Sequence, residues 1–383
     1  MSRVTPVPIT PSVLDWAIAE SGYGLKEIAD AIGVSVETFK QWESGDSKPT
    51  LTQVRKLATK LHRPLASFLL PTPPPSRALP VEFRKPIGQQ RELTPNERRH
   101  VRRAARLQEI LSWVATELDM TLSQTPSASL SEDPVSVAQR ARDLLDISSA
   151  SQMAWPSSSS AFDNWRAALE STGHIVFLFS LGKDACRGFS IWDPYAPVVA
   201  INTAWNEEAR IFTLFHEFGH LITRTSSACI ESMRTTRNAD PVERWCERFA
   251  ADVLMPASAF KASLAKYGWR MGDSITSLNI AGRIARNFKV SLRAAVIRLI
   301  ELGSASWTLY DEIPPISDKK REGGGGGSGR KRAQIREDEF GGRATSLLVK
   351  AVEKDVLSRS QAIDFLDIPD AAFDDLSRAI PRR

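Results

Sequence analysis

The sequence predicts a multidomain protein, in which an all-α N-terminal domain precedes an α+β domain with a small sheet and a short helical C-terminal domain. The chain has 383 residues, enough for about two to four folding units. Apolar residues make up 42% and charged residues 25% of it, which excludes a collagen-like or largely disordered protein. The sheet is predicted where helical periodicity gives way to short runs rich in Val, Ile and Phe at 174–202.

Two low-complexity segments divide the protein. The proline-rich stretch at 71–76 cannot continue a helix, and the run GGGGGSG at 323–329 has no side chains to pack. Serine-rich segments at 123–134 and 157–160 are predicted surface loops on either side of a short helix at 135–145. We therefore expect a helical domain at 1–70, a proline-rich linker and long connecting helix at 71–134, the α+β domain at 135–318, a flexible linker at 319–329 and a small helical domain at 330–383.

Composition also limits the compartment and the partners. The three cysteines have no metal-binding spacing, so we expect reduced thiols that serve in packing. No apolar run reaches the length of about 18 residues that a membrane span needs, and the start of the sequence lacks an apolar signal segment. A cytoplasmic protein with no membrane partner is therefore expected. The net charge of +5 permits contact with nucleic acid without requiring it.

A long helix is predicted from Leu93 to Leu122, because apolar residues recur there at helical spacing. Its first part carries a row of arginines, namely Arg98, Arg99, Arg102, Arg103 and Arg106. These side chains either form a solvated helix face or contact phosphate groups, and the sequence leaves both interpretations open.

The segment WNEEARIFTLFHEFGHLIT predicts an amphipathic helix with two histidines on one face. His216 and His220 are four residues apart, so helical geometry places one above the other. Two imidazoles so placed can hold one Zn²⁺ ion, and Glu217 can take a proton from the attacking water, as in HExxH motifs. The alternative is a pair of histidines that are buried for packing alone.

A third metal ligand is expected, because catalytic zinc usually has three protein ligands and one open position. The best candidate lies on the next predicted helix, ERWCERFAADVLMP, which begins at Glu243 and ends before Pro256. A carboxylate at Glu243, packed against the histidine helix, would complete a His, His, Glu site.

HEFGH, followed after 22 residues by the segment that begins at Glu243, resembles the ImmA/IrrE family of bacterial metallopeptidases. The resemblance covers roughly residues 162–302 and implies a zincin-like peptidase fold that hydrolyses peptide bonds. It also implies His216, His220 and Glu243 as zinc ligands and Glu217 as the catalytic base. The family commonly has Ala-Asn where this protein has Cys246 and Glu247.

The group that would stabilise the oxyanion is not assigned by the sequence. His174 and Tyr195 are the nearest residues of a suitable type, although a structural role is favoured for each of them. The segment CRGFSIWD is a candidate edge strand, which would hold an extended peptide by backbone pairing.

Residues 13–70 predict four or five short helices with the spacing of a helix-turn-helix, in which Ser35 caps the second helix of the motif. Over residues 12–70 the sequence resembles the Cro/C1-type (XRE) DNA-binding domains, particularly in WESGDSKPT and VRKLATKL. The resemblance implies a recognition helix at 36–44. Its groove-facing residues would be Glu37, Thr38, Lys40 and Gln41.

The charge of this N-terminal region is small for a DNA-binding module. Its first 70 residues contain eight Lys and Arg against seven Asp and Glu, and phosphate contacts supply most non-specific affinity for DNA. Binding of operator DNA is therefore expected to need a homodimer, and a protein-docking role is the alternative.

Two functions follow from these patterns. The first is a zinc endopeptidase coupled to a DNA-binding or docking domain, and the family resemblance implies a bacterial transcriptional repressor as its substrate. The second is a DNA-binding repressor or antitoxin whose zincin-like domain senses a signal or binds a partner, such as a co-encoded toxin, without proteolysis. The helices after the glycine run, in which Ser358 is a predicted cap, are assigned to packing or docking.

Overall fold

The computed structural model describes residues 6–75, 93–225, 228–229, 240–270, 272–314 and 332–379. The protein divides into two compact units, one formed by residues 1–79 and 91–103 and the other by 80–90 and 104–383. The linker predicted at 319–329 and the side chain of Cys229 lie outside the described residues. The domain boundaries proposed from the sequence remain predictions. No helix within the described ranges has the length and apolar character that crossing a membrane requires.

The first unit is helical, as predicted. Its elements are α1 (Pro11–Ser21), α2 (Leu25–Ile32), α3 (Val36–Ser44), α4 (Leu51–Leu61), a 3₁₀ helix (Leu65–Leu69) and the first residues of α5 (Pro95–Glu117). Gly33 ends α2 in the left-handed region, and the Ser35 hydroxyl caps α3 by accepting a hydrogen bond from the Thr38 N–H at 3.1 Å. Ile28, Phe39 and Trp42 fill the core between these helices.

The helix α5 is shorter than the predicted span of Leu93 to Leu122. It ends at Glu117 because Asp119 takes a left-handed conformation, with φ of 50°. The N–H of Met120 then donates to the C=O of Ala115 at 2.9 Å, which is the bond of a Schellman-type helix end.

Most of the second unit is also helical. Its helices are α6 (Pro134–Leu145), α7 (Ser149–Ala154), α8 (Ser158–Ser171), α9 (Glu207–Ile222), α10 (Pro241–Leu254), α11 (Ala257–Ala265), α12 (Leu278–Phe288), α13 (Leu292–Glu301), α14 (Trp307–Asp311), α15 (Arg332–Glu353), α16 (Arg359–Leu366) and α17 (Asp370–Ala379). The prediction of a surface loop at 157–160 is wrong, because these serines begin α8. The Ser157 side chain accepts a hydrogen bond from the Ser160 N–H at 3.1 Å, so serine acts here as a helix cap.

The sheet contains the three predicted strands, β1 (Ile175–Phe179), β2 (Gly188–Ile191) and β3 (Val198–Asn202), and a short strand β4 (Ala228–Cys229) that was not predicted. The strand order is β1-β3-β2-β4; β1 runs parallel to β3, and the other pairs are antiparallel. The segment CRGFSIWD, which contains β2, was expected to be an edge strand. That prediction is wrong at Gly188 and Phe189, because β4 pairs with these two residues.

Helix α9 lies against β2 and β3 on one side and against α10 on another. Its close approach to the sheet depends on Gly188. A Cβ at that position would lie 2.6 Å from Cγ2 of Thr213 and 2.8 Å from the backbone oxygen of Ala200. The absence of a side chain at Gly188 therefore sets the distance between the sheet and the histidine helix.

Three buried polar side chains hold the C-terminal end of α10 by donating to its last C=O groups. The bonds run from Arg142 to Val253 at 2.5 Å, from Gln152 to Leu254 at 2.9 Å and from Arg298 to Met255 at 3.0 Å. Because these carbonyls have no partner within the helix, the side chains satisfy groups that would otherwise be buried without hydrogen bonds.

The C-terminal helices belong to the second unit, in which α15 contacts β1 and α8. The helix is kinked at Gly341, which has φ of 84°. The carboxylate of Glu170 accepts hydrogen bonds from the N–H groups of Gly342 and Arg343 at 3.1 and 3.4 Å, and so caps the part of α15 after the kink. The predicted cap at Ser358 is confirmed, since its side chain forms a capping box with Gln361.

We expect Gly188→Ala to lower the free energy of unfolding of the second unit by about 1–3 kcal/mol, because the new methyl group overpacks the contact with α9. The measurement is the urea midpoint, followed by tryptophan fluorescence. Gly282→Ala on α12 is the matched control, since a Cβ there meets only the end of the Arg286 side chain, at 3.7 Å. The control should raise stability by roughly 0.5–1 kcal/mol. Equal midpoints for both variants would contradict the prediction.

Candidate metal centre

Helix α9 places two imidazoles side by side. His216 and His220 are both buried, and their Nε2 atoms lie 3.1 Å apart. Asn206 begins the helix by accepting a hydrogen bond from the Ala209 N–H at 3.0 Å, so the register of the histidines is fixed from the first turn. The predicted single-face arrangement of the two rings is confirmed.

Helix α10 brings a carboxylate to the same point. Oε2 of Glu243 lies 3.1 Å from Nε2 of His216, and Oε1 lies 3.5 Å from Nε2 of His220. The structure therefore brings together the three residues that were predicted as ligands, with one ligand atom of each within 4.8 Å of the others.

The close contact between α9 and α10 occurs at Gly219. A Cβ there would lie 3.2 Å from Sγ of Cys246 and 3.2 Å from Cδ1 of Phe249. A side chain at this position would crowd Cys246 and Phe249 of α10, and Glu243 stands on α10 one turn before Cys246. The glycine within HEFGH therefore allows the carboxylate to reach the histidines.

Thr225, which sequence reasoning missed, orients one ring. Its hydroxyl lies 3.0 Å from Nδ1 of His220 and 2.9 Å from the hydroxyl of Thr223. A partner on Nδ1 leaves Nε2 of His220 to face the cluster, which is how outer hydrogen bonds orient metal-binding histidines. No local pattern marks Thr225, because its contact forms only when the backbone turns back after the end of α9.

Glu217 lies outside this three-residue cluster. Its side chain is fully buried beside the sheet, where a Cβ on Gly188 would come within 3.3 Å of its Cγ. The residue follows His216 directly on α9, and its contact with Gly188 places its side chain on the side of β2.

The cluster is electrostatically suited to a cation. Burial favours the neutral ring of His216, yet the hydrogen bond with Glu243 and the charges of Glu243, Glu217 and Glu247 raise its pKa above the ordinary value. Burial opposes the charge on Glu243 as well, but the hydrogen bonds from both histidines hold its pKa well below the usual range. Two imidazole nitrogens and a carboxylate oxygen are also the donor set of catalytic zinc sites, so these residues fit the metal.

Glu247 adds to the negative potential. Burial, together with the charges of Glu243 and Glu301, raises the pKa of Glu247 to about 7 despite the opposing effect of His216. The acidic residue at the position where the resemblance implies Asn therefore lies within electrostatic reach of the cluster.

Neither residue considered for the oxyanion belongs to the cluster. His174 is fully buried and lies 2.8 Å from the hydroxyl of Thr125 and 2.9 Å from that of Thr172. Its ring also packs edge-on against Phe218. These contacts assign His174 to the core. The backbone N–H of Tyr195 donates to Asp193 in the turn before β3, which gives this residue a place in the turn.

The residues predicted to face a DNA groove lie on α3 in the first unit. Glu37, Lys40 and Gln41 are exposed and Thr38 is half-buried, whereas the intervening Phe39 is buried. The exposed face of α3 is therefore the one that carries the predicted base-contacting side chains.

We expect the ring of His174 to stay neutral well below its ordinary pKa, because burial lowers its pKa to about 3. A histidine with a lowered pKa in the folded state stabilises the protein fully above pH 6.5 and loses this contribution as the pH falls from there towards about 3. The free energy of unfolding should change with pH by at most about 1.4 kcal/mol per pH unit over this range. His174→Gln should flatten this dependence, and NMR titration of the ring measures the pKa directly. A ring that titrates near 6.5 would exclude this environment.

Two segments of the protein match the profiles of known families. Residues 169–299 match the profile described as the IrrE N-terminal-like domain of peptidase family M78. Residues 17–68 match a helix-turn-helix profile. No curated protein matches the sequence. The two matches agree with an architecture in which an XRE-type helix-turn-helix domain precedes an IrrE N-terminal-like domain of peptidase family M78.

Proposed function

We propose that the protein is a zinc-dependent endopeptidase coupled to a DNA-binding domain and that it cleaves a bacterial transcriptional repressor. The observation that carries the proposal is the meeting of His216, His220 and Glu243 beside the buried Glu217. The family match supports it, because an M78 domain indicates a metallopeptidase and the family is generally zinc-dependent.

The residues of the site have separate roles in this proposal. His216, His220 and Glu243 hold the ion, while Thr225 fixes the ring of His220. When bound, zinc lowers the pKa of water towards neutrality and acts as a Lewis acid on the substrate carbonyl. Glu217 accepts a proton from the attacking water and passes it to the leaving amine as the C–N bond breaks.

The helix-turn-helix domain supports a regulatory setting. A peptidase that shares a polypeptide with a DNA-binding domain is held near the proteins that control transcription, which favours a repressor as substrate. The second candidate, a repressor or antitoxin that binds a co-encoded toxin without cutting it, requires the same two domains and differs only in the chemistry at Glu217.

We expect the full-length protein to bind about one zinc ion per molecule, measured by elemental analysis and by competition with a chelator. Thr225→Val should reduce zinc affinity by roughly 10–100-fold, since it removes the hydroxyl that contacts Nδ1 of His220 and leaves the three candidate ligands in place. Glu243→Ala removes a ligand and should reduce the affinity further. Glu353→Ala, an exposed carboxylate on α15, is the control and should bind zinc normally. Unchanged affinity in Glu243→Ala would refute the ligand set.

We expect Glu217→Gln to keep its zinc and to cleave a co-encoded repressor about 10²–10⁴-fold more slowly than the wild type, because the amide cannot accept the proton. Mass spectrometry of the products measures the rate and locates the cut. The inactive variant should also retain the uncut substrate during purification. Zinc binding with no cleavage by the wild type, together with binding of operator DNA, would favour the second candidate.

A further inference from the structure

A group of basic side chains gathers in the first unit, where the start of α5 meets the end of α4. We call it the basic cluster and define it as His62 and Arg63 at the C-terminal end of α4, with Arg98, Arg99 and Arg102 of α5. The charges of Arg99 and Arg102 act on His62, and those of Arg63 and Arg98 act on Arg102, so the five groups lie within electrostatic reach of one another.

Several contacts hold these cations in place. The guanidinium of Arg63 lies over the ring of Trp16, 4.4 Å from its centroid. Arg102 donates to the backbone carbonyl oxygen of Glu20, and the carboxylate of Glu20 lies 3.6 Å from Arg102 and 3.7 Å from Arg63. Arg98 covers the turn between α1 and α2, since a Cβ on Gly22 would come within 2.7 Å of its Cδ. The cluster is thus a fixed surface feature, with Arg99 and His62 exposed.

The positive charges in the cluster repel one another. Burial lowers the pKa of Arg102, and the charges of Arg63 and Arg98 lower it further against the effect of Glu20. Burial likewise lowers the pKa of His62, followed by the charges of Arg99 and Arg102. A negative ligand would relieve this repulsion, because each cation gains from an added anion nearby.

The start of α5 also changes the charge of the whole unit. Residues 6–75 carry seven Lys and Arg and seven Asp and Glu, so the helix-turn-helix region alone is neutral. Residues 93–103 add four arginines against one glutamate, and that residue, Glu97, is fully buried and bonded to Thr94 at 2.8 Å. Among the described residues of this unit, the positive excess therefore comes from a helix that lies outside the matched helix-turn-helix segment.

We propose that the basic cluster binds the phosphate backbone of duplex DNA and supplies the sequence-independent part of the affinity. The inference rests on the DNA-binding half of the proposed function and assigns phosphate contact to α5 and the end of α4, and base contact to α3. Neutralising phosphates with Lys and Arg releases counterions, which is the main source of non-specific binding to DNA. A neutral helix-turn-helix module gains this contribution from the cluster.

The test measures the affinity of the full-length protein for a duplex of random sequence over a series of KCl concentrations, by fluorescence anisotropy. Removal of one phosphate contact reduces the slope of log K against log salt by about 0.9. Arg99→Gln should therefore reduce the slope by about 0.9, and Arg63→Gln/Arg99→Gln by about 1.8. The loss of affinity should be similar for every duplex sequence.

Two controls separate this effect from others. Arg270→Gln removes an exposed arginine from the second unit and should leave the slope unchanged. Gln41→Ala on α3 should alter discrimination between duplex sequences and leave the slope with random sequence unchanged. Thermal unfolding of each variant verifies the fold, and the exposed Arg99 provides a single substitution that does not disturb the packing on Trp16.

If the wild type binds duplex DNA and Arg63→Gln/Arg99→Gln shows the same slope of log K against log salt, the role of the cluster is overturned. DNA binding by the protein would then still stand. Failure of the wild type to bind any duplex at low salt would overturn both the cluster and the DNA-binding half of the proposed function. Tighter binding of single-stranded RNA than of duplex DNA would show that the cluster recognises a different polyanion and would also overturn the assignment.

Discussion

The candidate site depends on the contact between α9 and α10 at Gly219. The histidines and the carboxylate stand on different helices, and the two helices approach closely because no side chain separates Gly219 from Cys246. Burial of Phe218 and Phe249 across the same interface adds apolar contact, with ring centroids 6.0 Å apart. The positions of the three candidate ligand atoms are consequences of this packing.

The same packing is secured at a distance from the ligands. Arg142, Gln152 and Arg298 are buried and donate to the last carbonyls of α10. Arg298 also pairs with the buried Asp252, so its charge is matched. Removal of one partner from such a pair leaves an uncompensated charge and is strongly destabilising. The helix that carries Glu243 is thus fixed by apolar contact at its middle and by hydrogen bonds at its end.

The two units use charge in opposite ways. In the second unit, carboxylates surround the imidazoles and favour a positive ion. In the first unit, arginines and a histidine gather around one another and favour a negative ligand. The net charge of +5 conceals both features, because each depends on which side chains the fold brings together.

Local secondary structure, its caps and the spacing of the two histidines could be predicted from the sequence alone. Helical spacing located His216 and His220, the change to short apolar runs located β1, β2 and β3, and Ser35 and Ser358 marked helix caps, all of which are confirmed. These features follow from interactions between residues a few positions apart, so periodicity and composition record them.

Features that join distant segments became visible only in the folded protein. There β4 pairs with β2, Thr225 meets the ring of His220, and Ser157 starts a helix where a loop was expected. The fold also places the α5 arginines beside the end of α4. A serine suits a loop and a cap equally well, and a threonine after a helix has no periodic signature. Packing between remote segments decides these features through its free energy. A short stretch of sequence therefore does not reveal them.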